Sequence, residues 1–157
     1  MKRNVLIYTF LFVLVVLTSS FAAAQVPMPI EESLIDEYVS NTDLPRRASW
    51  WNSLGRQLTY TVDKPVSQVK DVELQNIIFF ATNHPNKVKL SDAVPALLNI
   101  YKNHRDEQYR LMALAALDAI GDPRGMRRLS VMVKDEPSER VRRITYASLN
   151  DYYKVAE

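Results

Sequence analysis

Arginine supplies the densest chemistry in this chain. Residues 121–143 hold Arg124, Arg127, Arg128, Lys134, Arg140, Arg142 and Arg143 against Asp122, Asp135, Glu136 and Glu139, a net of +3. Six of the seven bases are arginines, whose planar fork suits carboxylate and phosphate oxygens. Arg127-Arg128 and Arg142-Arg143 fall at matching places on two successive helical stretches. Together they are expected to dock an acidic segment of a partner, the 31–43 stretch of a copy, or an anionic lipid head group. The competing reading is a solvated surface whose local ion pairs contribute little each. The balancing acids lie far away: residues 25–45 hold Glu31, Glu32, Asp36, Glu37 and Asp43 and no base, a net of −5. Trp50-Trp51 is the second candidate. Neighbours on a helix point about 100° apart, so one tryptophan faces the core. The expected arrangement has Trp50 packing and Trp51 covering an edge. The functional alternative makes one of them an exposed binding anchor.

Catalytic and metal chemistry find little to build on. His84, His104 and Asp106 are the only metal-ligand grouping the sequence offers, but a helix of about 11 residues between the histidines separates them by roughly 16 Å. One ion, with ligands at about 2 Å, cannot bridge that, so both histidines are read as turn residues. Asp106, Asp122 and Glu139 sit where helices begin, which assigns them to termination rather than acid–base work. The chain has no cysteine and only three glycines, at 55, 121 and 125, so thiol nucleophiles and glycine-rich phosphate loops are excluded. No enzyme activity, cofactor or metal is expected.

The N terminus implies export. Met1-Lys2-Arg3 precedes an apolar run over residues 5–17, then Thr18-Ser19-Ser20 and Ala22-Ala23-Ala24, the layout of a secretory signal cleaved after Ala24. An uncleaved membrane anchor is the alternative, although the apolar run is short of the roughly 20 residues of a span. With no cysteine after it, a lipidated-cysteine anchor has no attachment point. Loss of residues 1–24 removes Lys2 and Arg3, leaving 18 bases and 18 acids. The overall charge of +2 therefore gives no ground for a nucleic-acid partner. The remainder, 25–157, is one domain's worth, without disulfides to staple it.

These residues must be positioned by helices. Residues 25–30 carry two prolines and read as a linker. Residues 31–39 form a short helix with Leu34, Ile35, Tyr38 and Val39 on one face, and 41–45 break it. Residues 46–58 return to helical spacing (Trp50, Trp51, Leu54, Leu58), ending near Gly55, and 58–65 read as an extended segment or loop. From Ser67 the pattern sharpens: Val69, Val72, Leu74, Ile77, Ile78, Phe80 and Ala81 fill a helix that stops at Asn83-His84-Pro85. Ser91 is expected to cap a helix burying Val94, Leu97, Leu98 and Tyr101. Asp106 caps the next, with Tyr109, Met112, Ala113, Ala116, Leu117 and Ile120 inward and Gly121 as its left-handed stop. Ala115 is also placed in its core. Asp122-Pro123 opens a helix with Met126, Leu129, Met132 and Val133, and Ser138 caps a last one with Val141, Ile144, Ala147, Leu149 and Tyr152.

The last two pairs of helices are copies of one unit, superimposed by the shift that carries Val94 onto Met126. The same shift places Leu97 on Leu129, Tyr101 on Val133, Lys102 on Lys134, Asp106 on Ser138, Glu107 on Glu139 and Arg110 on Arg142. Ala115 falls on Ala147, Leu117 on Leu149 and Ile120 on Tyr152. A helical hairpin cannot bury its apolar face alone, so such units stack. The segment from Tyr109-Arg110-Leu111-Met112-Ala113 to Ile120-Gly121-Asp122-Pro123 resembles the second helix and exit turn of a HEAT repeat, and more closely the HEAT-like repeats of phycobilin lyases. The resemblance covers roughly 91–153 and, weakly, 67–83. It implies an all-α solenoid of antiparallel hairpins, about two and a half repeats, with a helical cap at its N-terminal end. It further implies a ladder in which a base of the second helix pairs with an acid of the preceding turn. Arg110 and Arg142 match the base. Asp135 or Glu136 matches the acid for Arg142, while Asn103 and His104 stand where Arg110's acid should be, so the ladder is incomplete. Lyase activity is not implied, since the chain has no cysteine.

The expected organisation is thus a signal at 1–24, a linker and capping region at 25–66 and a repeat domain at 67–157. The expected function is a non-enzymatic, periplasmic or secreted interaction module that binds a protein through Arg127, Arg128, Arg142, Arg143, Trp50 or Trp51. A self-assembling or envelope-associated structural protein is the alternative, and an anionic-ligand or lipid-surface binder a further one. Membrane contact is expected only through an uncleaved signal or anionic head groups.

Overall fold

In the computed structural model the described residues are 44–155, with side chains from 48. The expected signal, linker and short helix over 31–39 lie outside them. Within them the fold is all-α: six helices, α1 Leu44–Val62, α2 Asp71–Asn83, α3 Val94–Asn103, α4 Glu107–Ile120, α5 Pro123–Met132 and α6 Glu139–Val155. Single 3₁₀ turns occupy Val66–Gln68, Ser91–Ala93 and Val133–Asp135. None of the described helices is long and apolar enough to cross a membrane.

The stretch whose sequence pattern is weakest is continuous helix. Instead of ending near Gly55 and passing into an extended segment, α1 runs to Val62. The period that decides this is Trp51, Gly55, Leu58 and Val62, all buried and all on one helical stripe. Tyr60, which suggests alternation in the sequence, simply points to solvent. Gly55 permits rather than ends the helix: a Cβ there would stand 2.7 Å from the Lys89 carbonyl oxygen, so its absence lets α1 lie against the chain before α3. The tryptophan assignment reverses too. Trp51 is buried and edge-on to Phe80, while Trp50 is half-buried beside it.

Helix boundaries downstream follow their caps. Asp106 Oδ1 accepts from the Gln108 N–H at 2.8 Å, Asp122 Oδ1 from Arg124 and Gly125, and Ser138 Oγ from Val141 at 3.2 Å. Each satisfies donors that the first turn leaves orphaned. Gly121 ends α4 at φ 62°, a conformation that favours glycine. Ser91 does not cap as expected: a 3₁₀ turn with no side-chain cap bond leads into α3, with Pro95 in its first turn.

Packing runs mainly between helices adjacent or next but one along the chain. α1 lies on α2 and on the Ser91–Ala93 turn, α2 on α4, α3 on α4 and α5, and α4 on α6. One core threads these contacts: Leu74, Ile77 and Phe80 of α2, Leu97, Ile100 and Tyr101 of α3, Ala113, Leu114 and Leu117 of α4, Met126 and Leu129 of α5, and Val141 and Leu149 of α6. Burial recurs at the repeat distance, with Leu97 and Leu129, Tyr101 and Val133, Ala113 and Thr145, and Leu117 and Leu149 all buried. Ala115, placed in the core from the sequence, is exposed, as is its counterpart Ala147. Ile144 is exposed as well, because Val141, Thr145 and Leu149 form the inward stripe of α6. Thr145 escapes a reading by apolar pattern because a hydroxyl does not count as core. Its Oγ1 donates to the Val141 carbonyl and so accepts from the Tyr101 hydroxyl at 2.9 Å.

Candidate functional site

Helix α5 divides its residues cleanly. Met126, Leu129 and Val133 turn inward, and Gly125 brings the helix so near α3 that a Cβ would stand 2.8 Å from Val94 Cγ1. Arg124, Arg127, Arg128 and Val131 occupy the opposite stripe, at the i, i+3, i+4 and i+7 spacing that places side chains on one face. With Lys102 from the last turn of α3 and Met132, they line an open groove of about 520 Å³. Val131 is 64% exposed on its wall, an apolar contact set among four cations. A smaller depression of about 300 Å³ adjoins it, sharing Arg124 and Arg128 and adding Asp92 and Asp122.

The groove's cations are uncommitted. The side-chain ion pairs among the described residues are Lys64–Glu73 at 2.7 Å, Arg110–Glu136 at 3.1 Å and Arg140–Glu107 at 3.5 Å. None involves Lys102, Arg124, Arg127 or Arg128. Asp122, the nearest acid in sequence, already accepts backbone N–H groups of α5. Arginines in this state gain most from a carboxylate or phosphate brought by another molecule.

The four arginines singled out in the sequence do not converge on this groove. Arg127 and Arg128 line it, whereas Arg142 and Arg143 belong to α6 and do not. Lys102 joins the site instead. It comes from the neighbouring helix, so no spacing within one helix announces it.

Arg110 carries the expected base–acid link, with the partner changed. The carboxylate of Glu136, expected to serve Arg142 within one unit, reaches back to Arg110. It stands 3.1 Å from Nη2, with side chains 9% and 2% exposed. Arg110 Nη1 also donates to the His104 and Arg105 carbonyls at 2.9 and 3.1 Å. Arg142 makes only the backbone half of this arrangement, Nη1 donating to the Glu136 carbonyl at 3.1 Å. The shift along the sequence that carries Arg110 onto Arg142 also carries His104 onto Glu136, so the two arginines share one posture with and without an acid.

The histidines stand apart. His84 lies among Trp51, Phe79 and Phe80, with Lys87 over the Trp51 ring. Burial first, and then the Lys87 charge, hold its pKa below the ordinary histidine value. His104 stacks on Tyr109 at 4.2 Å and accepts the Asp106 N–H. No group of three or more metal-ligating side chains occurs among the described residues. No family model, curated protein or solved structure matches the chain.

Proposed function

We propose that this chain is an exported, non-enzymatic interaction module, a short HEAT-like solenoid whose groove between α3 and α5 binds an acidic segment of a partner protein. The observation that carries this reading is the groove itself: four cations without ion pairs among the described residues, around an exposed valine. A bound carboxylate side chain would meet charge, and an apolar neighbour in the same segment would cover Val131. Rim charges of this kind act mainly on encounter rate and specificity, and their contribution falls with salt. The repeat reading rests on the burial that recurs from one helical pair to the next and on the common posture of Arg110 and Arg142.

Fluorescence anisotropy of a labelled peptide of alternating Glu and Leu tests the proposal. Binding should weaken as salt rises, and a Lys/Leu peptide should not bind. Arg124→Ser with Arg127→Ser and Arg128→Ser, all exposed, should reduce affinity at least about tenfold, or 1.4 kcal/mol, with the helical signal unchanged. Equal affinity in the triple variant would overturn the groove as the site. Preference for anionic vesicles over the peptide would instead make it a lipid surface.

A further inference from the structure

One stripe of α4, with its Gly121 stop, carries most of the polar links to the unit that follows it; Tyr101 of α3 adds its bond to Thr145. Glu107 accepts from Ser138 Oγ at 3.0 Å and pairs with Arg140. Arg110 pairs with Glu136, Leu114 is covered to 3% exposure, Asp118 accepts from Ser148 Oγ at 2.6 Å, and the Gly121 carbonyl accepts from the Tyr152 hydroxyl at 3.3 Å. Carried forward by one repeat, this stripe is Glu139, Arg142, Tyr146, Asn150 and Tyr153 of α6. Among the described residues no side chain of another helix takes up these positions; Arg142 keeps only its bond to the Glu136 carbonyl. Arg142 has no acid, Glu139 and Asn150 have no side-chain partner, Tyr146 is 49% exposed and Tyr153 41%. The same helix face that is fully engaged on α4 stands open on α6.

We propose that this open stripe is a second docking surface and that its occupant is the acidic 31–43 segment of another copy of the chain. The stripe specifies the occupant's chemistry: a carboxylate against Arg142, as Glu136 stands against Arg110, and apolar cover for Tyr146. Residues 31–43 carry five acids and no base, with Leu34, Ile35, Tyr38 and Val39 at helical spacing, while Arg143, exposed beside the stripe, adds positive charge. The segment joins α1 at Leu44, at the end of the packing order α1, α2, α4, α6 opposite to the stripe, so a second copy takes it without the chain crossing its own fold. Delivery from a second copy makes the contact heterologous, so copies join head to tail instead of closing into a symmetric pair. This inference does not depend on the α3–α5 groove, which uses other residues.

Sedimentation equilibrium on the protein isolated from the cells that make it provides the test. The weight-average mass should rise with concentration and fall back with salt. A face variant, Arg142→Glu with Tyr146→Glu, and a segment variant, Glu31→Lys, Glu32→Lys, Asp36→Lys and Glu37→Lys, should each stay monomeric. Mixed, they should form a heterodimer and nothing larger, because only the good segment of one and the good face of the other remain. Tyr146→Glu alone, at an exposed position, repeats the face test without disturbing Arg142. A monomeric mass at all concentrations, or no heterodimer in the mixture, would overturn the proposal. So would assembly that survives Tyr146→Glu but disappears in the groove variant, since the segment would then occupy α3–α5.

Discussion

Removing the Glu136 carboxylate should unsettle the fold more than any other single charge change. In Glu136→Ala the Arg110 guanidinium, 9% exposed, keeps its two carbonyl acceptors but loses the one carboxylate that pairs with it among the described residues. Among those residues its Nε already has no acceptor. Breaking a buried pair from one side costs about 3–5 kcal/mol, a large part of a typical total of about 5–15 kcal/mol. For a domain of this size that lowers Tm by roughly 10–25 °C. The paired replacement Arg110→Met with Glu136→Leu should recover most of the loss, because it leaves no orphaned charge. Arg142→Ala serves as the internal standard. It removes one charge-assisted bond to a carbonyl and should cost only about 1–2 kcal/mol. Urea unfolding followed by circular dichroism measures each of these variants. Equal costs for Arg110→Ala and Arg142→Ala, or a coupling energy under about 0.5 kcal/mol between Arg110 and Glu136, would refute the argument that the acid completes one arginine and not the other.

Gly55→Ala should destabilise by about 1–3 kcal/mol in thermal melts, because the Lys89 carbonyl stands 2.7 Å from the new methyl; the usual gain of up to about 1 kcal/mol for this exchange within a helix is outweighed. Since His84 titrates below its unfolded value of 6.5, the unfolded chain binds more protons below that pH, so stability should hold above pH 6.5 and fall as pH drops through that value towards the folded pKa. His84→Asn should flatten this segment of a Tm-against-pH curve, and an unchanged slope would assign it to other groups. Tyr101→Phe should cost about 0.5–1.5 kcal/mol by chemical denaturation, since Thr145 keeps its Val141 acceptor; Thr145→Val should cost a similar amount by leaving the Tyr101 hydroxyl buried without an acceptor.

What the sequence discloses depends on which force fixes each feature. Caps and stops are local chemistry, so Asp106, Asp122, Ser138 and Gly121 are legible from residue type and position. Long apolar stripes are legible for the same reason, as with Leu97, Leu98, Leu117 and Leu129. The course of α1 is not, because a glycine inside a helix signals a stop unless the backbone passing it is known, and Lys89 is far away in sequence. Thr145 and Arg110 are buried for partners outside their own helices, which no period along one helix reveals. At the groove, three arginines of α5 can be placed on a common face from their spacing, but Lys102 joins them only through the packing of α3 on α5. Sequence proximity groups Arg142 and Arg143 with them, yet it carries no information about which side of the next helix they occupy.

The order of packing, each helix against its near neighbours in sequence, also fixes how the molecule yields to tension. The main contacts lie between elements adjacent or next but one along the chain, and no strand pairing occurs among the described residues to act as a clamp. Pulled from its two ends, such a chain has no place where many hydrogen bonds must shear together. Its helices peel away one after another, each detachment releasing only the layer beneath it. Under load the described helices should come away stepwise, without one dominant rupture.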